Sequence, residues 1–147
     1  MRTLFLRTLS VTMLFGLAGV AHALDFRSVG DAQAALYATP SDKAKPRFVV
    51  NRQYPFEVVE VSGDWAHVRD LTGMMAWIKL AHLVPVHTVV MRSAAEAYVN
   101  ADGASPVCAH IAAGVILVWL ADAGDWVKVR LPDKRVAFVR LNLVWGD

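Results

Sequence analysis

The sequence predicts an all-β protein made of two copies of one small, strand-rich module, and three observations carry that reading. A block of residues recurs at a fixed offset of 61 positions. The segments inside each block are rich in β-branched and aromatic residues. Turn signals separate them about every eight to twelve residues, the spacing of small barrels and sandwiches.

The repeat is read from a register rather than from one motif. Gly63-Asp64-Trp65 recurs as Gly124-Asp125-Trp126. Without a gap, Trp65-Ala66-His67-Val68-Arg69 then matches Trp126-Val127-Lys128-Val129-Arg130, and Ala76-Trp77-Ile78-Lys79-Leu80 matches Ala137-Phe138-Val139-Arg140-Leu141. Tyr37 falls on Tyr98, and Leu83 on Val144. Each copy is near the lower size limit for a single core, so packing of one on the other would help both. The linker around Val84 to Thr88 holds Pro85 and no Gly/Ser run, which predicts little independent tumbling.

Each predicted strand has a local cause. Phe56 to Val61 is β-branched and aromatic, and Ser62-Gly63-Asp64 turns the chain. Trp65 to Asp70 alternates, with Trp65, His67 and Arg69 on one face and Ala66 and Val68 on the other. Leu71-Thr72-Gly73 is the next turn and Met75 to Ile78 the next strand. In the second copy the matching elements are Val115 to Leu120, a turn at Ala123-Gly124-Asp125, Trp126 to Leu131, a turn at Pro132-Asp133-Lys134, and Val136 to Arg140. Asp31 to Leu36 is Ala-rich and favours helix by propensity, but its place before the first module makes it a lead-in turn or strand. Ala81-His82-Leu83 suits a single helical turn before a last strand.

Residues 1–23 read as a secretory signal peptide: Arg2 and Arg7, an apolar stretch from Val11 to Val20, then Ala21-His22-Ala23 as a cleavage pattern. The apolar run is short for a membrane span, which needs ~20 residues, so no stable membrane insertion is expected after cleavage. No Cys follows the cleavage pattern, so no lipid anchor is expected. Removing two arginines from the 15 basic residues leaves as many bases as the 13 acids, and a neutral mature chain gives no electrostatic reason for a nucleic-acid partner. The expected location is periplasmic or secreted. Cys108 stands alone and cannot form an internal disulfide.

No catalytic constellation is legible. Cys108 and His110, two apart, would share a strand face, but no activating motif surrounds them. The mature histidines His67, His82, His87 and His110 show no metal-ligand spacing, and there is no phosphate loop or dinucleotide fingerprint. No enzyme activity, cofactor or metal is therefore expected.

The repeated pattern (an apolar strand, Gly-x-Trp-x-x-Val, a turn, small-Trp-Ile/Val, then a basic residue and a final Leu or Val) resembles the bacterial SH3 (SH3b) family, in particular its exported tandem-repeat members. It stands here as Gly63-Asp64-Trp65-Ala66-His67-Val68 with Ala76-Trp77-Ile78-Lys79, and again as Gly124-Asp125-Trp126-Val127-Lys128-Val129 with Ala137-Phe138-Val139-Arg140. The resemblance implies two tandem small SH3-like β-barrels, over 24–87 and 88–147. It implies binding rather than chemistry, with peptidoglycan or an envelope protein or peptide as partner, or docking as a structural or regulatory subunit. The opening stretch departs from the family pattern: Leu36-Tyr37-Ala38-Thr39-Pro40 lacks the usual Arg, and the second copy keeps only Tyr98. An aromatic groove would use Tyr37 and Tyr54 with Trp77 at its edge, and Tyr98 in the second copy. The first copy is the expected host of a site. Trp119 and Trp145 have no aromatic at the matching offset, which an inter-repeat contact would explain, and Lys45, Arg47 and Arg52 form a local basic run.

Overall fold

The protein is described by a computed structural model over residues 24–147. The signal peptide expected at 1–23 lies outside the described residues. The first sheet holds β1 (Asp25–Val29), β2 (Gln33–Tyr37), β3 (Pro46–Asn51), β4 (Pro55–Ser62), β5 (Trp65–Arg69), β6 (Met75–Lys79) and β7 (Leu83–Val84). The second holds β8 (Thr88–Met91), β9 (Ala95–Tyr98), β10 (Val107–Ile111), β11 (Ile116–Ala123), β12 (Trp126–Arg130), β13 (Val136–Arg140) and β14 (Val144–Trp145). A 3₁₀ turn precedes the last strand of each sheet, at Leu80–His82 and Leu141–Leu143. The Ala-rich stretch before Tyr37 is strand β2: its pairing with β3 and the burial of Ala34 and Leu36 outweigh its helix propensity.

Both sheets are antiparallel throughout, and their strand orders are β3-β2-β6-β5-β4-β1-β7 and β10-β9-β13-β12-β11-β8-β14. The second is the first with every number raised by seven. From β2 onward the matching positions are 61 residues apart, as in the pairs Tyr37↔Trp77 and Tyr98↔Phe138. The first strands are offset by 62, because Val29 pairs with Leu83 but Met91 with Val144. The second module is thus one residue shorter between its first two strands.

Neither sheet closes by backbone pairing among the described residues, whereas the resemblance implies a barrel. Closure is by side chains. In a flat sheet with strands ~4.8 Å apart, β3 and β7 would stand roughly 29 Å from each other. Yet Val50 of β3 and Leu83 of β7 belong to one cluster with Leu36, Phe56, Val68 and Ile78. No second layer covers these residues, so the sheet curls over its own apolar face. The second sheet does the same around Val89, Leu117, Val129 and Val139.

The devices that bend the sheets occur in pairs. β4 carries a bulge between Val58 and Glu60, and β11 carries one between Trp119 and Ala121. A second bulge makes Arg47 the extra residue in β3 and Cys108 the extra residue in β10. Bulges raise local twist and let a strand turn a corner. The β4–β5 and β11–β12 hairpins are closed by Gly63-Asp64 and Gly124-Asp125, with φ of 56° and 66° at the glycines. Positive φ at the first of two loop residues is the type II′ turn, whose twist suits the flanking strands.

The linker joins the sheets tightly. Ser28 Oγ donates to the Val86 carbonyl at 2.9 Å and Thr88 Oγ1 to the Gln53 carbonyl at 2.8 Å, and both hydroxyl residues are 1% exposed. His87 stacks on Trp119 at 4.5 Å and faces Phe26 at 6.1 Å, while Trp145 meets Phe26 edge-on at 5.3 Å. Trp119 and Trp145 therefore serve the contact between the modules.

Leu36→Ala, at a fully buried position, is expected to destabilise the protein by about 2–5 kcal/mol in denaturant unfolding. Val59→Ala, at a bulge position 52% exposed, should change stability by no more than ~0.5 kcal/mol. Equal losses would mean that the core lies on the other face.

Candidate functional site

Strand alternation separates a core face from an outer face. On β5, Ala66 and Val68 are fully buried in the core, so Trp65, His67 and Arg69 point outward. On β6, Ala76 and Ile78 point inward, and Trp77 and Lys79 outward. The order β2-β6-β5 then sets Tyr37, Trp77 and His67 side by side, since Tyr37 pairs with Trp77 and Trp77 with His67.

The rings form a continuous strip. Tyr37 meets Trp65 edge-on at 5.2 Å, and Trp77 stacks on His67 at 4.4 Å with the planes 8° apart. Trp65 is 8% exposed and acts as floor, while Tyr37, His67 and Trp77 are half-buried and offer ring surface to solvent. Lys79 Nζ lies over the Trp65 ring, 5.4 Å from its centroid, and is paired with Asp42 from the 38–45 loop. That bond holds the ammonium pKa above its ordinary value. At the end of the strip Arg69 donates Nε–H to Glu57 at 2.7 Å, an ion pair whose carboxylate is nearly buried.

The second sheet carries the corresponding strip with different charges. Tyr98 meets Trp126 edge-on at 5.3 Å, and Phe138 pairs with Tyr98 where Trp77 pairs with Tyr37. Lys128 replaces His67, so the stacked pair is lost. The Arg140 guanidinium lies 4.0 Å from the Trp126 ring centroid, within cation–π range. Gly103 stands at the place of Asp42, and Tyr98 donates its hydroxyl to Glu96 at 2.9 Å, which raises the phenol pKa.

Of the four groove residues expected from the sequence, the structure brings Tyr37 and Trp77 together. Tyr98 sits at the equivalent place in the second sheet. Tyr54 packs elsewhere, tilted against Phe56 at 5.1 Å and against the core cluster. Lys79 and Arg140 complete the strips and were not singled out as site residues. The signal was their common offset, a cation two residues after the second aromatic of each strip, Lys79 after Trp77 and Arg140 after Phe138.

Other candidates fall outside the strips. Cys108 Sγ donates to the Ala97 carbonyl at 3.4 Å, while His110 is exposed and faces Glu96 at 3.9 Å. Lys45, Arg47 and Arg52 are exposed, with Arg47 over Phe48 at 5.5 Å. Among the described residues, no group of three His, Cys, Asp or Glu is placed to hold a metal ion, and no helix is long and apolar enough to cross a membrane.

Burial, with a smaller contribution from Asp70, raises the Tyr54 pKa above 10.0. The folded chain thus holds this proton more tightly than the unfolded one, so the associated stability is complete below the ordinary value and is lost as pH rises through the raised one. Tyr54→Phe should remove an ionisation above pH ~10 from the tyrosinate absorbance titration and flatten the loss of stability in that window. An ionisation at or below the ordinary value would show Tyr54 to be open to solvent.

The family profile described as bacterial SH3 domain matches residues 30–84, from Gly30 to the end of β7. No curated protein matches the chain. Among solved structures, NlpC2 from Trichomonas vaginalis is 14% identical over 85% of this chain and 49% of its own, with a TM-score of 0.40. NlpC1 from Trichomonas vaginalis is 12% identical over 94% and 51%, with a TM-score of 0.40. An NlpC/P60 family protein from Bacillus cereus ATCC 10987 is 15% identical over 82% and 55%, with a TM-score of 0.35. The chain spans about half the length of these structures. Residues 30–84, which hold β2 to β7 of the curled first sheet, are thus the part of the chain that matches the bacterial SH3 domain family.

Proposed function

We propose that the protein is a non-enzymatic binding module of the bacterial envelope. In this reading two SH3-like barrels, 24–87 and 88–147, are copies of one unit exported behind the signal peptide at 1–23 into the periplasm or medium. The first module contacts peptidoglycan, or an envelope protein or peptide, through Tyr37 and Trp77. One observation carries the reading: a half-exposed aromatic strip on the outer face of a bacterial SH3 domain, where no core residue needs it. Flat rings of this kind stack on sugar faces or clamp an extended chain at low entropy cost. The matching strip in the second sheet offers a second contact.

A second reading, a structural or regulatory subunit docking on a partner enzyme or complex, is favoured by the junction. Phe26, His87, Trp119 and Trp145 hold the two strips in a fixed relation, as a rigid docking body requires.

Co-sedimentation with purified peptidoglycan separates the readings. The mature protein should be retained at micromolar concentration, and Trp77→Ala should weaken retention about tenfold, the 1–2 kcal/mol of an aromatic anchor. Its circular dichroism and unfolding midpoint should stay close to those of the parent, because Trp77 lies outside the core cluster. Absence of retention in the parent protein would remove the wall reading and leave docking, which in-cell cross-linking to a single reproducible partner would identify.

A further inference from the structure

We propose that the cleft beside the second strip binds the carboxylate end of a peptide, gripped by Arg140 and Arg92. This goes beyond wall binding and does not depend on it. The cleft is open, holds about 830 Å³, and is lined by Arg92, Arg140, Asn142, Asp125 and Asp147 among others. That volume falls within the ~300–1,000 Å³ of small-ligand sites.

Both guanidiniums are positioned yet lack an acid partner. Arg92 Nε donates to the Val144 carbonyl at 2.8 Å, which fixes the group, and among the described residues its terminal nitrogens have no hydrogen-bond partner. Arg140 is held against the Trp126 ring. Among the described residues no carboxylate lies within 4.0 Å of either one. The first sheet shows what satisfaction looks like at this site: Lys79, the counterpart of Arg140, is paired with Asp42. In the second sheet the Asp42 position is Gly103, whose missing Cβ would sit 3.4 Å from an Arg140 terminal nitrogen. The second module has therefore lost the acid and gained a fork-shaped donor in place of a point charge.

The class of ligand follows from the charges. Two arginines and two aspartates line the cleft, so the lining carries no net charge and a polyanion gains no general attraction. A single carboxylate reads the local fork instead, through two parallel charge-assisted N–H···O bonds. Leu141 and Leu143 in the same lining give an apolar contact for the residue that carries such a carboxylate.

The test is a titration of the mature protein with N-acetyl-Gly-Gly bearing a free carboxylate, with its C-terminal amide, and with acetate, followed by NMR through the Trp126 indole and Arg140 guanidinium signals. The free acid should bind in the millimolar range or better, and the amide about tenfold more weakly. Gly103→Asp, which restores the first module's pairing, and Arg140→Gln should each weaken the acid about tenfold, with the unfolding midpoint unchanged for Gly103→Asp. Asp42→Ala in the first module should leave this cleft's signals unaffected. Equal binding of acid and amide, no binding of the acid, or full binding by Gly103→Asp would overturn the proposal. Acetate matching the peptide acid would overturn the peptide part of it. Loss of peptidoglycan retention leaves all these outcomes unchanged, so the two proposals fail separately.

Discussion

A single-layer sheet has one apolar face and nothing to set against it, and the rest of this structure depends on how that face is covered. Each seven-stranded sheet curls over itself until residues from both ends share one cluster. Strong curvature leaves little room inside and much outside. The inner positions mix small and large side chains: Ala34, Ala66 and Ala76 lie with Leu36, Phe56 and Ile78 in the first sheet, and Ala97, Val127 and Ala137 with Met91 and Leu117 in the second. Trp65, Trp77 and Trp126 sit on the convex face, and Phe56 is the ring that the first core takes in. The aromatic strip is the outer side of the same strand alternation and leaves ring surface in solvent.

The two cores satisfy the same volume by different residues. Phe56 and Ala66 become Leu117 and Val127, and Leu36 and Val29 become Ala97 and Met91, each set within one core cluster. Each exchange trades bulk within one cluster, which cores tolerate when total volume is kept. What stays fixed is the bending apparatus: the bulges after Val58 and Trp119 and the glycine turns at Gly63 and Gly124. Curvature constrains these positions more tightly than packing constrains side-chain identity.

Much of this was legible in the sequence because it is periodic. Alternation from Trp65 to Arg69 assigned the faces, the Gly-Asp-Trp turns assigned the hairpins, and the offset from Tyr37 to Val144 assigned equivalent positions. The first strands escaped the register because one residue is missing before β9, and only backbone pairing shows the shift from 61 to 62. Tyr54 illustrates the other limit. It precedes a strand whose first residues are buried, and its ring packs with Phe56 against the core. Asp42 was illegible as a site residue because it lies in a loop of unpatterned sequence, and only the fold brings that loop to Lys79.

Two sheets with the same strand order also serve as each other's control for what that order requires. Glu57 pairs with Arg69 in the first sheet, but Val118 faces Arg130 in the second, so that ion pair is not needed to build the module. Asp70 caps its turn by accepting from the backbone N–H of Thr72 and Met74, while the second turn puts Leu131 there and moves the acid to Asp133. The cation after the second aromatic behaves differently, being present in both sheets against the corresponding tryptophan, Trp65 or Trp126. Its acid partner is the part that varies. A feature kept in both modules while its neutralisation changes belongs to the surface the module presents, and the two strips therefore offer solvent the same rings with different charge.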